Sequence, residues 1–198
     1  RWNPDAIQTK KELDIPENRR LIIIQGAGIN IDRGAEEAVE AMIDIDAVLM
    51  IVGDGDVVPK LKDRVKTLEL TEKVLFYGKR PYDELMQFTY HADLGLTLDK
   101  ATNPNYKFSL PNKVFDYMHA GTPIVATDIL EVARVIRQHD IGEILEEFTP
   151  KNLATTINAM LRSQERMEEM KSNCTKAAEI ENWEHETQVL QSIYPKVR

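Results

Sequence analysis

The feature that most restricts the fold of this chain is a series of short, uninterrupted apolar runs separated by segments of helical periodicity. The apolar runs lie at 21–24, 47–52, 74–77, 93–98 and 123–126. Continuous runs of this length predict strands buried on both faces, because a strand with one wet face alternates apolar and polar residues. The helical periods lie at 35–43, 57–68, 82–91, 111–120 and 130–138. This alternation predicts an α/β fold built on a doubly wound, Rossmann-like parallel sheet.

The two ends of the chain lie outside this alternation. At the start, the sequence predicts a short helix from Asp5 to Leu13. Beyond residue 149 the periodicity predicts helices only, at 150–162, 164–180 and 183–194. We expect Trp183 to anchor the last of these helices in the core. We therefore interpret residues 1–19 as a lead-in segment and residues 20–198 as one domain with C-terminal helices.

Composition argues against several classes of protein. The 198 residues carry a formal net charge of −8, so a surface that neutralises nucleic-acid phosphates is not expected. The single cysteine, Cys174, excludes an internal disulfide and a cysteine zinc cluster, and it fits a reducing cytoplasm. No apolar run approaches the roughly 20 residues that cross a membrane. The polar start at Arg1 is not that of a signal peptide, and we expect the sequence to be a piece of a longer protein.

In a doubly wound sheet, ligands bind beyond the carboxyl ends of the strands, so the residues after each predicted strand are the candidates for function. The first strand is followed by Gly26, Gly28 and, at the start of a helix, Arg33 beside Gly34. A glycine loop that opens a helix can bind phosphate through free backbone N–H groups. Ile31 stands where a dinucleotide fingerprint has its third glycine. The loop is therefore either a phosphate cradle or an ordinary turn with a surface arginine.

The loops after the second and third strands are less specific. Asp54 and Asp56 form either an acidic metal pair or, as we favour, an ordinary turn in which Asp56 caps the next helix. Lys79 and Arg80 either contact a ligand or form a solvent-exposed basic pair. We interpret His91 and His119, which lie near the ends of two predicted helices, as C-terminal caps. The sequence shows neither a nucleophilic triad nor a histidine pair with metal spacing.

The region after the fourth strand carries the densest set of candidates. Residues 99–110 form a long polar loop, and Ser109 and Pro111 suit the cap and first turn of the helix that follows. Free N–H groups at that helix start, together with Lys113, are placed to bind a diphosphate. Asp116, three residues later on the same face, is placed to accept both hydroxyls of a ribose. The alternative is an exposed Lys–Asp helical pair, which stabilises a helix by roughly a few tenths of a kcal/mol.

These segments resemble a known family. The most specific is SLPNKVFDYMHAGTPIVATD, and it is supported by IIIQGAGINIDRGAEEAVEAM, VLMIVGDGDVVPKLK and KVLFYGKRPYDELMQFTYHADLGLTL. From about Arg20 to Tyr194 the chain resembles the C-terminal, donor-binding half of a retaining GT-B-fold glycosyltransferase of the family called glycosyl transferases group 1. The resemblance implies a protein that moves a sugar from a nucleoside-diphosphate sugar to an acceptor.

The resemblance also implies roles for particular positions. Arg33 is expected at the donor phosphate, Asp116 at the ribose, and Gly78 with Lys79 at the base. The first glycine loop and the start of the long helix are expected to surround the diphosphate through Gly26, Gly28, Ser109, Leu110, Pro111, Asn112 and Lys113.

Two departures from the family pattern concern the donor. Many members carry a Glu-x7-Glu pattern whose first acid contacts the donor sugar, and here Phe108 stands in that place. Asp99 in the long loop is the candidate to replace it. Ala27 stands near the position of an arginine that is frequent in the first loop. These departures keep open an alternative function, a non-catalytic interaction module with a vestigial nucleotide site.

The resemblance implies partners as well. The donor is expected to be of the UDP or GDP type. No metal cofactor is expected, because Arg33, Lys113 and the helix dipole would take the role of a divalent cation. A missing N-terminal half of the same protein is expected to carry the acceptor site, so this chain alone would bind nucleotide without transferring sugar. The family suggests polysaccharide synthesis in the cytoplasm, with the full-length protein peripheral to the membrane.

Overall fold

The computed structural model describes residues 6–193. Within this range the strands are β1 (Leu21–Gly26), β2 (Val48–Gly53), β3 (Val74–Phe76), β4 (Leu94–Thr97), β5 (Ile124–Thr127) and β6 (Gly142–Leu145). The helices are α1 (Ala35–Ala41), α2 (Val58–Thr67), α3 (Tyr82–His91), α4 (Pro104–Lys107), α5 (Asn112–Ala120), α6 (Leu130–His139), α7 (Pro150–Arg162), α8 (Gln164–Ile180) and α9 (Trp183–Ile193). Among the described residues, no helix combines the length and the apolarity that crossing a bilayer requires.

The strands form one parallel sheet in the order β3-β2-β1-β4-β5-β6. β1 is central, and it pairs with β2 through Leu21↔Val48 and with β4 through Ile22↔Leu94. The order reverses between β1 and β4, so the chain leaves these two strands toward opposite faces of the sheet. A crevice opens at the carboxyl ends of two strands that diverge in this way. The predicted doubly wound, Rossmann-like sheet is confirmed.

Both faces of the sheet are packed, which explains why the strand sequences are continuously apolar. Ile22 and Ile24 of β1 belong to the core that includes α1, α2 and α7, whereas Leu21 and Ile23 belong to the core that includes α3, α5 and α6. α8 contributes to both cores, with Met170 on one side and Cys174 on the other. α7 and α8, which follow β6, therefore pack into the same cores as the sheet.

Two short elements were not predicted from the sequence. β6 is an edge strand that pairs with β5, and among its residues only Leu145 is buried. α4 is a single turn inside the long polar loop, and the Asn103 side chain caps it by accepting the N–H of Tyr106. An edge strand and a single turn lack the extended apolar period on which the prediction depends.

The two ends of the described chain also differ from the prediction. Residues 7–9 are irregular and residues 10–14 form a turn in place of the predicted α-helix, and its expected first residue, Asp5, lies outside the described residues. Ile15 in the lead-in segment is buried in the core. The prediction that Trp183 anchors the last helix is wrong, because its side chain is exposed at the start of α9. Tyr194, the predicted end of that helix, lies outside the described residues.

Gly34 determines how the chain enters α1. It is the N-cap of that helix and has a φ of 74°, which lies in the left-handed region. A Cβ at this position would lie 2.4 Å from Cβ of Leu98 and 2.8 Å from Cζ of Phe148. The absence of a side chain therefore lets the turn approach the end of β4 closely. This approach brings Arg33 next to the residues that follow β4.

We predict that Gly34→Ala lowers the free energy of unfolding by about 2–4 kcal/mol, because backbone strain and overpacking add. Gly78→Ala is the matched control, since Gly78 has a φ of 68° but open space where the Cβ would lie. The control is expected to lose about 1 kcal/mol from strain alone. Urea unfolding of both variants measures the difference, and equal losses would refute the steric part of the argument.

Candidate functional site

A cleft of about 1070 Å³ lies at the carboxyl end of β1. Its walls come from the loop after β1, the first turns of α3 and α5, and the junction of α8 with α9. This is the switch-point crevice that the strand order creates. The cleft therefore lies where the sequence predicted a ligand site.

A buried carboxylate joins two cations at one end of the cleft. Asp99, two residues after β4, is 2% exposed. Its Oδ1 accepts a hydrogen bond of 2.8 Å from Nη1 of Arg33, and its Oδ2 lies 3.4 Å from Nζ of Lys113. The two cations and the one carboxylate leave a local charge of +1. This end of the cleft is therefore suited to an anion.

The loop between β4 and α5 also holds Arg33 from its other side. The Arg33 guanidinium carbon lies 4.6 Å from the ring centroid of Tyr106, at cation–π distance. Tyr106 belongs to α4, the turn that Asn103 caps. Arg33 is thus fixed between a carboxylate and an aromatic ring from the same loop.

Lys113 lies on the first turn of α5, with a side chain that is 13% exposed. Burial lowers the pKa of its ammonium; the Asp99 carboxylate opposes this shift, and Arg33 adds to it. Asp99 therefore favours the charged form of Lys113 in an environment that otherwise favours the neutral amine.

Asp116 forms a second polar centre one helical turn further along α5. Its Oδ1 accepts the hydroxyl of Tyr82 at 3.0 Å, and its Oδ2 accepts Nε2–H of Gln25 at 3.1 Å. Burial raises the pKa of Asp116, while the hydrogen bonds from Tyr82 and Gln25 and the charge of His119 lower it. The carboxylate is an oriented acceptor for hydroxyl groups.

The start of α5 differs in detail from the sequence prediction. Its N-cap is Pro111, which has no capping side chain. Ser109 does not cap the helix, because its hydroxyl donates to the carbonyl of Tyr106 at 2.9 Å. The first N–H groups of a helix have no intrahelical acceptor, and Leu110 and Asn112 line the cleft here. The helix start is therefore open toward the anion-binding end.

Most of the predicted site residues come together. Those that line the cleft are Gly26, Gly28, Arg33, Leu110, Pro111, Asn112, Lys113 and Asp116. The remaining candidates are absent from the lining, namely Gly78, Lys79, Asp99, Phe108 and Ser109. Asp99 is buried beneath its two cations, and Phe108 is 58% exposed. The sugar and base contacts predicted for these residues, and the diphosphate contact predicted for Ser109, remain predictions.

The sequence analysis missed Gln25 and Tyr82, both of which contact Asp116. Gln25 is the last side chain of β1 before its glycine, one residue beyond the apolar run that predicted the strand. Tyr82 is the first residue of α3, and it was read as part of a helical period. The one available signal was their position, since both lie at the carboxyl rim of the predicted sheet.

Asp56, His119 and His91 make hydrogen bonds within the protein. Asp56 does not cap α2, because its Oδ1 accepts the N–H of Ile31. Among the side chains that the structure describes, no group of three or more His, Cys, Asp or Glu residues could hold a metal ion. A ring nitrogen of His119 bonds the carbonyl of Phe115, four residues earlier in α5, whereas the C-cap residue of that helix is Gly121; His119 also lines the cleft. His91 instead bonds the carbonyl of Gln8 in the lead-in segment.

The chain belongs to the family Glycosyl transferases group 1. The family profile matches residues 5–177, which is most of the sequence. The N-acetyl-alpha-D-glucosaminyl L-malate synthase of Bacillus anthracis is 27% identical over 165 residues, a match that covers 81% of this chain and 41% of that protein. The chain therefore spans less than half the length of this curated relative.

Solved structures of similar fold are GT-B glycosyltransferases. The Anabaena protein HepE, solved in complex with UDP and glucose, has a TM-score of 0.78 at 18% identity, over 94% of this chain and 51% of HepE. Sucrose-phosphate synthase of Thermosynechococcus elongatus has a TM-score of 0.79 at 19% identity, over 93% of this chain and 47% of that enzyme. These likenesses confirm the predicted GT-B-type fold.

We predict that Asp99→Asn lowers the free energy of unfolding by about 3 kcal/mol at neutral pH, because it leaves Lys113 and Arg33 without their counter-ion. The loss should shrink as the pH rises toward about 10.4, the pKa of an unfolded lysine. The pKa of Lys113 is lower in the folded protein than in the unfolded chain. Between these two pKa values the unfolded chain binds more protons, so a rise in pH stabilises the folded variant.

Chemical unfolding of the variant at pH 7 and pH 9.5 measures this recovery. Asp128→Asn is the control, since Asp128 pairs with Arg137 at the surface, where both side chains are more than 60% exposed. It should change stability by no more than about 0.5 kcal/mol at either pH. A deficit in Asp99→Asn that is independent of pH would contradict the role of Lys113.

Proposed function

We propose that this chain is the donor-binding half of a glycosyltransferase that uses a nucleoside-diphosphate sugar. The observation that carries the proposal is the arrangement of the cleft. Two cations and an open helix start lie at one end, and an oriented carboxylate lies one helical turn away. The spacing of Lys113 and Asp116 on α5 suits the diphosphate and the ribose of one nucleotide. HepE, a protein of similar fold, was solved with UDP.

The diphosphate is proposed to bind between Arg33 and Lys113. Nε of Arg33 is buried and has no hydrogen-bond acceptor in the described part of the chain, so a phosphate oxygen would satisfy an unpaired donor. The N–H groups at the start of α5 and the positive end of its dipole add to the attraction. The glycine loop at 26–28 lets the ligand approach the backbone.

The ribose is proposed to bind Asp116 through its two vicinal hydroxyls. A carboxylate has about four lone-pair sites, and two are already used by protein donors. The remaining sites can accept the two hydroxyls. The base would then lie toward the first turn of α3, which is the side where Gly78 and Lys79 were predicted to act.

The proposed site needs no metal ion for nucleotide binding. Arg33, Lys113 and the α5 dipole supply fixed positive charge where a divalent cation would otherwise neutralise the diphosphate. The same groups would stabilise the nucleoside diphosphate as it leaves the sugar, which is where negative charge develops in the transition state.

Sugar transfer is proposed for the longer protein and not for this chain alone. GT-B enzymes close two halves over the donor, and an acceptor half is proposed to precede this one. The retaining outcome, the role in polysaccharide synthesis and the cytoplasmic, membrane-peripheral location follow from the family resemblance. Phe108, which stands where many members of the family have an acid, is an exposed aromatic side chain.

We predict that UDP or GDP binds this chain with the same affinity in the presence of EDTA and of magnesium. Lys113→Ala should weaken that binding about tenfold or more, because it removes a charge-assisted hydrogen bond to phosphate. Lys107→Ala is the matched control, since Lys107 lies in the same loop but outside the cleft lining. It removes the same charge, and we expect less than about a twofold effect.

Calorimetric titration with UDP, GDP, ADP and dTDP measures these affinities. Inorganic pyrophosphate should lose affinity in Lys113→Ala but not in Asp116→Asn, because pyrophosphate has no ribose. If none of the four nucleotides binds, the proposal fails and the non-catalytic interaction module becomes the better account. Equal weakening by the two lysine variants would assign the effect to net charge instead of a phosphate contact.

We further predict that this chain, saturated with its nucleotide sugar, transfers no sugar to any acceptor and releases no nucleoside diphosphate above background. The physical reason is that the site can hold the donor but does not bring an acceptor to it. Chromatographic detection of released nucleotide tests this. Turnover by the chain alone would show that one half of the fold suffices.

A further inference from the structure

Asp116, the acid of the proposed ribose subsite, differs from an exposed aspartate on a helix in its burial and in its hydrogen bonds. Asp116 is largely withdrawn from solvent, and its two oxygens receive donors from two other elements of the fold. Gln25 reaches it from the end of β1, and Tyr82 reaches it from the first turn of α3. Both contacts join residues that are far apart in the sequence. The surrounding fold therefore decides where this carboxylate points.

We propose that Tyr82 and Gln25 are positioning residues that hold the carboxyl group of Asp116 in a fixed orientation for the two ribose hydroxyls. The inference rests on the proposed function and deepens it, because it names the groups that prepare the ribose subsite before any ligand arrives. In this arrangement Tyr82 acts through Asp116 and stays bonded to it when the nucleotide binds.

The Gln25 contact has a fixed direction. The hydroxyl of Thr89, in α3, donates to Oε1 of Gln25 at 2.6 Å. The amide nitrogen is thereby turned toward Asp116, to which it donates. Gln25 and Thr89 are both buried, and reversal of the amide would turn its Oε1 toward the carboxylate of Asp116, which accepts hydrogen bonds and has none to donate when ionised. Thr89 and Gln25 form a rigid support for Oδ2.

Tyr82 bonds the other oxygen of Asp116, Oδ1, from the solvent-exposed side of the cleft. Tyr82 is 52% exposed, follows the N-cap Pro81, and lines the cleft. Burial of the phenol and the charge of Asp116 raise its pKa to about 12. Tyr82 therefore keeps its proton throughout the neutral range and donates to Oδ1. Each oxygen of Asp116 then has one protein donor and one free lone pair.

The groups that act on Asp116 come from α3, β1 and α5 itself. α3 contributes Tyr82, β1 contributes the uncharged Gln25, and α5 itself contributes His119 and Tyr117. The cations at the other end of the cleft are paired with Asp99. In the described chain, no charged side chain of α8, which also packs on α5, is among the groups that shift Asp116.

The direction of the pH effect follows from these contacts. Burial raises the pKa of Asp116, and the hydrogen bond from Tyr82 is the first of the contacts that lower it. Removal of the phenol hydroxyl therefore raises this pKa further. As the pH falls, the carboxylate of the variant is protonated earlier than that of the wild type. A protonated acid accepts fewer hydrogen bonds, so ribose recognition weakens at a higher pH.

The test uses Tyr82→Phe, which keeps the ring, with Tyr90→Phe as the control. Tyr90 lies in the same helix but outside the cleft lining. Carbon-13 NMR of the Asp116 carboxyl measures its pKa in the free protein without any ligand. Calorimetry then measures the affinity of UDP and of its 2′,3′-dideoxy analogue from pH 5 to pH 8.

We expect Tyr82→Phe to raise the pKa of Asp116, to weaken UDP about threefold at pH 7 and more at pH 5, and to leave the dideoxy analogue unchanged. Tyr90→Phe should change none of these quantities. An Asp116 pKa that does not move, or UDP affinity that rises in Tyr82→Phe, would overturn the inference. The second result would mean that Tyr82 competes with the ribose. Failure of the wild type to bind any nucleotide would instead overturn the proposed function, and the NMR titration would still judge the role of Tyr82.

Discussion

The buried contact of Asp99 with Arg33 and Lys113 is the interaction on which the cleft depends. It joins three segments that lie on different parts of the sheet edge, namely the loop after β1, the loop after β4 and the first turn of α5. A carboxylate this deeply buried is stable only when it is paired and hydrogen-bonded. The same contact therefore holds the three segments together and places the two cations.

The same helix serves both ends of the cleft. α5 presents Lys113 at its first turn and Asp116 one turn later, and its adjoining face contributes Val114 and Tyr117 to the core. The ring of Tyr117 lies over Gly95 in β4, where any Cβ would meet the ring at 2.6 Å. The position of the helix is thus set by core packing. The spacing of its two polar residues follows from helix geometry alone.

The sequence predicted what depends on local periodicity. Buried strands read as continuous apolar runs, and Lys113 and Asp116 share a face because they are three residues apart. The contacts of Gln25 and Tyr82 could not be predicted in this way, because they depend on where β1 and α3 meet α5 in space. Trp183 shows the opposite error, since an aromatic residue in a helical period was assigned to the core and is exposed.

The acidity of the whole molecule has a kinetic consequence for the cleft. The chain carries a net charge of −8. The two cations beside Asp99 attract an anion only within about 8 Å, the screening length at physiological salt. An approaching polyanion is first repelled and then captured. Added salt should therefore quicken its arrival while it loosens its hold, so the association and dissociation rates should both rise with ionic strength.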